Sequence, residues 1–447
     1  MNIPRRSTAL LLSISLALSS ALHAQDRPNF VIIMADDLGY GDLGCYGHPA
    51  IQTPHLDRMA REGIRFTDFH SNGAVCSPTR AALMTGRYQQ RSGVQGVITA
   101  ANHRHTGMPL AELTFAEALK TVGYKTGMFG KWHLGYPDTF NPVHQGFDEF
   151  SGFVSGNIDY HSHVDQAMHL DWWQAAKVAN EPGYLTDLVS NKGVRFIEQH
   201  KGVPFCLYLA HGAPHFPYQG RNDPAFREQG GRRGAEEIDD FDRRYKEMIE
   251  VMDEGIGRIL TKLKESGIDN RTLVVFMSDN GASASAIKGI GSVRTLRGAK
   301  GSQWEGGTRV PCIARWPGKI KPGTLSDEIC LSMDWFSTLV ALGHVEFDSA
   351  PMLDGINLEP ALTGNGPLPE RTVFWQSAKS AAVRRGTLKW IAPTNRAEAP
   401  GQLYDLKNDL SESTDVSELH TELTAELQEA YKNWRKEVWE GVAPVAQ

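Results

Sequence analysis

Four apolar runs, at 29–34, 125–129, 205–210 and 273–277, each break off into polar or charged residues. Runs this short, apolar without alternation, suit strands buried on both faces, the condition of a parallel sheet covered by helices. Helical patterns fall between them. Residues 55–62 follow Thr53 as N-cap and Pro54 at the first helical position, and Gly63 ends the run. Further helices are predicted at 115–122, between Thr114 and Gly123, and at about 240–265, before Gly267. Gly230-Gly231-Arg232-Arg233-Gly234 reads as a flexible surface loop with solvated arginines. The alternation specifies an α/β fold, a large mixed, mostly parallel sheet sandwiched by helices.

The pattern changes near residue 365. Short strands are predicted at 372–376, 381–384 and 388–391, followed by Leu403-Tyr404-Asp405-Leu406 and a helix over about 418–438. This reads as a small antiparallel sheet with a terminal helix. The expected organisation is a signal peptide at 1–24, a main domain at 25–365 and a C-terminal subdomain at 366–447. In the leader, Arg5 and Arg6 precede an apolar stretch at 9–18 and small residues, with cleavage after Ala21 or Ala24. Export to the periplasm or beyond follows. No run is long enough to span a bilayer, so no membrane association is expected.

Losing the leader deletes two arginines and no acid, moving the formal charge from −6 to −8. Such a chain has no general attraction for nucleic acid, and an anionic substrate needs a local basic site. Cys45, Cys206, Cys312 and Cys330 match neither a disulfide framework nor a zinc site in spacing, and their pairing stays open.

Ligands of open α/β sheets bind at the carboxyl ends of strands. Here the first run leads into Asp36-Asp37 and the last into Asp279-Asn280-Gly281. Asp and Asn favour surface turns, which is one reading. The other is a hard cation, because acids after a buried strand need compensation and these four side chains offer oxygen. The second run leads into Lys131-Trp132-His133, where two-residue spacing in extended chain puts Lys131 and His133 on one side and Trp132 on the other. The third leads into His211-Gly212-Ala213-Pro214-His215, with prolines stiffening the turn. Lys300 lies in a glycine-bracketed loop, open to an anion. Each of these alone also fits an ordinary surface or core role.

Cys76-Ser77-Pro78-Thr79-Arg80 has two readings as well. One is a packed thiol ahead of a helix with Pro78 in its first turn. The other depends on the company it keeps. In order, the chain has Asp36-Asp37, Cys76-x-Pro78-x-Arg80, Gly130-Lys131-Trp132-His133-Leu134-Gly135, His211-x-x-Pro214-His215, Asp279-Asn280-Gly281 and Lys300-Gly301-x-x-x-Glu305-Gly306-Gly307-x-Arg309-x-Pro311. This set resembles the formylglycine-dependent sulfatases of the alkaline-phosphatase-like superfamily, arylsulfatase A-like and N-acetylgalactosamine-6-sulfatase-like members in particular. The likeness covers nearly the whole chain after the leader. Thr79 stands where many relatives have serine.

The resemblance implies that a maturation enzyme oxidises Cys76 to formylglycine (3-oxoalanine), which is hydrated to a gem-diol. One hydroxyl then attacks the sulfate sulfur and the resulting sulfated enzyme collapses to release sulfate. It implies Ca²⁺, in preference to Mg²⁺, held by Asp36, Asp37, the residue at Cys76, Asp279 and Asn280. Arg80 steadies the diol, Lys131 and Lys300 clamp sulfate, His215 protonates the leaving alcohol and His133 helps remove the diol proton; the two histidines remain exchangeable at this stage. The implied substrate is a sulfated carbohydrate, with galactose- or N-acetylgalactosamine-type units attacked from the end. Sugar-binding residue types gather at 155–163, at Asp171-Trp172-Trp173 and at 102–105, making His103, Asp159, His163 and His211 candidate substrate contacts; structural loops are the other reading. A phosphonate or phosphodiester hydrolase of the same superfamily is a rival. So is a non-catalytic sulfoglycan-binding protein, although that would require a broken catalytic position and none is found.

Overall fold

Alternate residues of the strand Asn29–Ala35 enter different cores: Phe30, Ile32 and Met34 pack on one face, Val31, Ile33 and Ala35 on the other. The neighbouring strand Thr272–Ser278 divides in the same way, which is why neither run shows apolar–polar alternation. The computed structural model describes residues 27–232, 239–349, 351–394 and 401–446. The expected leader at 1–24 lies outside the described residues, as do Arg233 and Gly234 of the predicted loop.

The main sheet has ten strands. Its centre is parallel: Thr272–Ser278, Asn29–Ala35, Phe205–Ala210, Lys125–Lys131 and Glu149–Phe153 lie side by side in that order. Beyond Thr272–Ser278 the strand Cys312–Arg315 runs antiparallel, and so does Trp173–Gln174 at the opposite side. The sheet is therefore mixed and mostly parallel. Helices Leu185–His200 and Phe241–Glu265 cover one face, and Cys76–Thr85, Phe115–Thr121 and Asp334–Leu342 the other.

The helix Pro54–Glu62 forms with Thr53 at its N-cap position, but the Thr53 side chain does not cap it. It accepts from the Gly44 amide and donates to Asp57 instead. The first free amides, of His55 and Leu56, are taken by the carboxylate of Asp253 on the long helix, at 3.0 and 2.7 Å. A cap supplied 198 residues away leaves no local sequence signal.

The C-terminal strands Thr372–Gln376, Ser380–Arg385, Leu388–Pro393 and Gln402–Asp405 form a separate antiparallel sheet in chain order. Helix Thr421–Val438 packs on it through Leu427, Trp434 and Val438. Buried charges join this sheet to the larger unit. Lys389 is fully buried and ion-pairs with Glu305 at 2.7 Å and Glu412 at 2.9 Å. Arg384 reaches Asp68, which also takes Arg309 at 2.8 Å. Removing one member of a buried ion pair strands its partner, at a cost of about 3–5 kcal/mol. Lys389→Met is therefore expected to lower unfolding stability by about that amount in urea titrations. A loss below about 1 kcal/mol would show that the junction is held elsewhere.

Candidate active site

The parallel register pairs Ala35 with Ser278, so the residues that follow, Asp36-Asp37 and Asp279-Asn280, emerge next to each other. All four are buried. The Asp37 amide donates to Asp279 Oδ1 at 3.2 Å, and Asn280 Nδ2 donates to Asp37 Oδ1 at 2.8 Å. Lys131 ends its strand and places Nζ 2.6 Å from Asp36 Oδ2. Lys300 Nζ lies 2.6 Å from Asp37 Oδ1. Its loop is fixed beside the segment preceding Cys76 by the Gly301 amide, which donates to the Ala74 carbonyl at 2.7 Å.

Cys76 is the first residue of helix Cys76–Thr85, with Sγ 3.3 Å from Asp36 Oδ1 and 3.5 Å from Lys300 Nζ. Arg80, one turn later, is buried below it. Its Nε and Nη2 donate to Asp279 Oδ2 at 3.1 and 2.8 Å, and Nη1 donates to the Lys131 carbonyl at 2.9 Å. His215 Nε2 stands 3.7 Å from Asp37 Oδ2, and its Nδ1 is 2.6 Å from the Phe216 carbonyl. His133 reaches the same region by a different route from the one expected. It has φ 58°, left-handed and not extended. Trp132 is nonetheless packed in the core, donating to the Phe140 carbonyl at 2.9 Å. His133 Nε2 is 3.0 Å from the Ile98 carbonyl.

Three carboxylates thus face three cationic side chains. Burial raises Asp37, but Lys300 and then His215 outweigh it and bring its pKa to about 2. Burial and the adjacent Asp36 push Asp279 up to about 6, against the pull of Arg80. Burial followed by Asp279 and Asp36 pushes the Cys76 thiol up to about 12, so an unmodified Cys76 is a neutral thiol near neutral pH. Burial, then Lys300, lowers His215 to about 3, and burial with Lys131 holds His133 well below the usual histidine range.

The donor set fits a hard cation. Ligand atoms of Asp36, Asp37, Cys76 and His215 all lie within 4.8 Å of one another, and the buried Asn280 Oδ1 has no hydrogen-bond partner. Because lysine and arginine already balance the aspartates, a divalent cation there leaves excess positive charge, suited to an anionic substrate.

A cavity of about 120 Å³ opens over this cluster, lined by Cys76, His133, His215 and Lys300. Its other wall is built by residues 97–100, Tyr136, Ser155, Gly156, Asn157, Asp165 and Gln166. Of these, the sequence pattern marks only the stretch containing Ser155–Asn157. The loop carrying residues 97–100 has no helical or strand period to mark it. Asp171 holds that stretch in place, accepting from the Val154 and Ser155 amides at 3.2 and 2.9 Å.

The four candidate substrate contacts do not line this cavity. Asp159 is fully buried and its carboxylate accepts from the backbone amides of His161, Ser162, Phe226 and Arg227. His163 is buried and stacks on Trp172 with ring centroids 4.9 Å apart. His103 Nδ1 accepts from the Thr99 amide at 3.0 Å, closing a local turn. His211 is buried, with Arg258 and Asp187 of the helices as its electrostatic neighbours. Hydrogen-bonding residue types beside aromatics are as useful for fixing a long loop as for holding a sugar. Cys206, Cys312 and Cys330 are buried unpaired thiols, and Cys45 is a half-buried one.

Residues 28–345 match the family model described as Sulfatase. Arylsulfatase A of Bos taurus is 36% identical over 402 residues, covering 84% of this chain and 75% of that one. N-acetylgalactosamine-6-sulfatase of Canis lupus familiaris is 34% identical over 441 residues, covering 93% and 82%. Among solved structures, Ps i-CgsB in complex with k-i-k-neocarrahexaose superposes with a TM-score of 0.83 at 29% identity, covering 94% of each chain. With acids, lysines and a cysteine converging at strand ends of a sheet shared with these enzymes, the chain belongs to the sulfatase family, hydrolases of sulfate esters.

Proposed function

We propose that the chain removes sulfate from carbohydrates, acting on terminal galactose- or N-acetylgalactosamine-type units after Cys76 has been oxidised to formylglycine. The observation that carries this reading is the placement of Cys76 at a helix start, against Asp36 and Lys300 and in one cavity with His133 and His215. A neutral thiol there is a poor nucleophile, whereas a hydrated aldehyde has an oxygen to offer. The N-acetylgalactosamine-6-sulfatase relatives support the sugar class, and the small cavity supports attack on an end unit. The leader pattern supports export, which would have the chain meet its maturation enzyme on the way to the periplasm or the exterior.

A formylglycine at this position supplies a gem-diol: one hydroxyl oxygen bonds to sulfur as the sulfur–alcohol bond breaks, then proton loss from the other breaks the C–O bond, freeing sulfate and restoring the aldehyde. Asp36, Asp37, Asp279 and Asn280 would hold Ca²⁺, which supplies charge that acidifies the attacking hydroxyl and screens the sulfate. Lys131 and Lys300 bind sulfate oxygens as charge spreads over them. Arg80 neutralises Asp279 and braces the helix that carries residue 76. His215, at the cavity, delivers a proton to the departing alcohol. Burial, then Lys300, lowers the pKa of His215, and an ester sulfate between the lysines and its ring offsets the second of these. His133, hydrogen-bonded to the Ile98 carbonyl, receives a proton from the diol at its free Nδ1, a buried atom without a partner.

Three measurements test this. Cys76→Ala should lose about 10³-fold or more in kcat while keeping its thermal midpoint, and ordinary turnover in that variant would refute the mechanism. His215→Ala should slow alkyl sulfates by about 10²–10⁴-fold and activated aryl sulfates much less. Equal losses on both would remove His215 as the acid. Dialysis against a chelator should abolish turnover, with Ca²⁺ restoring it better than Mg²⁺; full activity without metal contradicts the cation role.

A further inference from the structure

We propose that the cavity between the C-terminal sheet and helix Thr421–Val438 binds further sulfated units of the glycan whose end reacts at residue 76, a reading that rests on the sulfated-carbohydrate assignment. The cavity has a volume of about 840 Å³. One wall is a single stripe of the helix, since Gln428, Tyr431, Lys432, Arg435 and Lys436 recur at spacings of three and four, with Trp439 just beyond. Among the described residues no acid lines the cavity, although the whole chain has 52 acids against 46 lysines and arginines. Lys432 pairs with Glu429 at 3.2 Å, whereas Arg435 and Lys436 have no carboxylate within 4.0 Å among the described residues. The larger cavity near Asp68, of about 890 Å³, mixes Asp327, Glu328 and Glu370 with its arginines and so has no such preference for anions.

The opposite wall needs partners. Among the described residues Gln95 Nε2, Gln376 Oε1 and Trp390 Nε1 are buried polar atoms without a hydrogen bond, on three residues that border this one cavity. A buried hydrogen bond left unmade is costly, and an entering hydroxyl-rich ligand relieves that cost. Sugars supply hydroxyls for the amides and apolar faces for Tyr431 and Trp439, and their sulfates supply charge for Arg435 and Lys436. The two cavities share a wall segment: Gln95 borders this one and Val97 borders the one over Cys76. Two residues of chain span at most about 7 Å. That segment is fixed, because the Gln95 and Gly96 amides both donate to the Ala446 carbonyl at 2.8 Å.

The test is calorimetric titration of full-length Cys76→Ala protein, with and without R435A/K436A, using a chondroitin 6-sulfate hexasaccharide and N-acetylgalactosamine 6-sulfate. Both substitutions are on exposed helix positions, and equal melting temperatures verify the fold. The Kd for the hexasaccharide should weaken about tenfold in R435A/K436A, with that for the monosaccharide moving less than twofold. The fully desulfated hexasaccharide should bind weakly to both proteins. An unchanged hexasaccharide Kd, equal weakening for both ligands, equal affinity for the desulfated chain, or no hexasaccharide binding at all overturns the proposal. If the sulfated-sugar reading of the Cys76 site fails instead, the monosaccharide does not bind, while the hexasaccharide comparison still decides the distal site.

Discussion

Three aspartates buried at the ends of two adjacent parallel strands set the terms for everything around them. A carboxylate removed from water must be paired, hydrogen-bonded or neutralised. Here Asp36 takes Lys131, Asp37 takes Lys300 and Asp279 takes Arg80, from three separate parts of the chain. Each cation arrives on an element whose position is set by the main sheet or by the loops at its edge. The same set is one divalent cation short of being strongly positive. The fold therefore stores a local anion site inside a chain with a formal charge of −6.

That arrangement explains how much of the site was legible. Asp36, Asp37, Asp279 and Asn280 follow apolar runs that could only be buried strands, and Lys131 follows another, so chemistry and fold were marked by the same residues. Cys76 is ambiguous alone, and its companions in sequence carry the resemblance on which its reading rests. The position of His133 was anticipated for an incorrect reason, since a left-handed backbone, not strand alternation, turns its ring away from Trp132. Asp159, His163 and His211 do not line the cavity over Cys76, because residue type does not report direction. The Asp159 carboxylate is taken up by backbone amides, His163 stacks on Trp172, and His211 lies buried near Arg258 and Asp187, none of which a local period reveals. The cap that Asp253 gives to helix Pro54–Glu62 was illegible for the related reason that its partner is distant in sequence.

The string from Lys300 to Pro311 divides along the same line between chemistry and support. Lys300 alone touches the reacting cluster. Glu305 is buried between His70, Arg309 and Lys389, and its own amide donates to Glu412 Oε2 at 2.7 Å. The glycines beside it answer to space: a Cβ on Gly281 would lie 1.9 Å from the Gly306 carbonyl oxygen, and one on Gly306 would lie 2.5 Å from that of Gly298. Three loops, carrying Asp279-Asn280, Lys300 and Glu305, thus meet backbone to backbone. No side chain larger than hydrogen fits between them.

It follows that the C-terminal sheet is tied to the segment carrying Lys300 without contributing a residue to the cluster around Cys76. Lys389 and Glu412 belong to it or to the segment after it, and they hold Glu305 from one side while the Gly306 amide donates to the Arg297 carbonyl at 2.7 Å from the other. Arg297 stands three residues before Lys300, and its guanidinium lies 3.7 Å from the Trp304 ring centroid and donates to the Glu412 carbonyl at 2.7 Å. A displacement of the small sheet would therefore be transmitted along Lys389, Glu305 and Arg297 to the loop that aims Lys300 at residue 76. Buried ion pairs are a costly way to join two sheets, and apolar packing would serve stability as well. Here they form a continuous series of contacts, from Lys389 through Glu305 and the Gly306 amide on the Arg297 carbonyl, to the loop in which Lys300 meets Asp37.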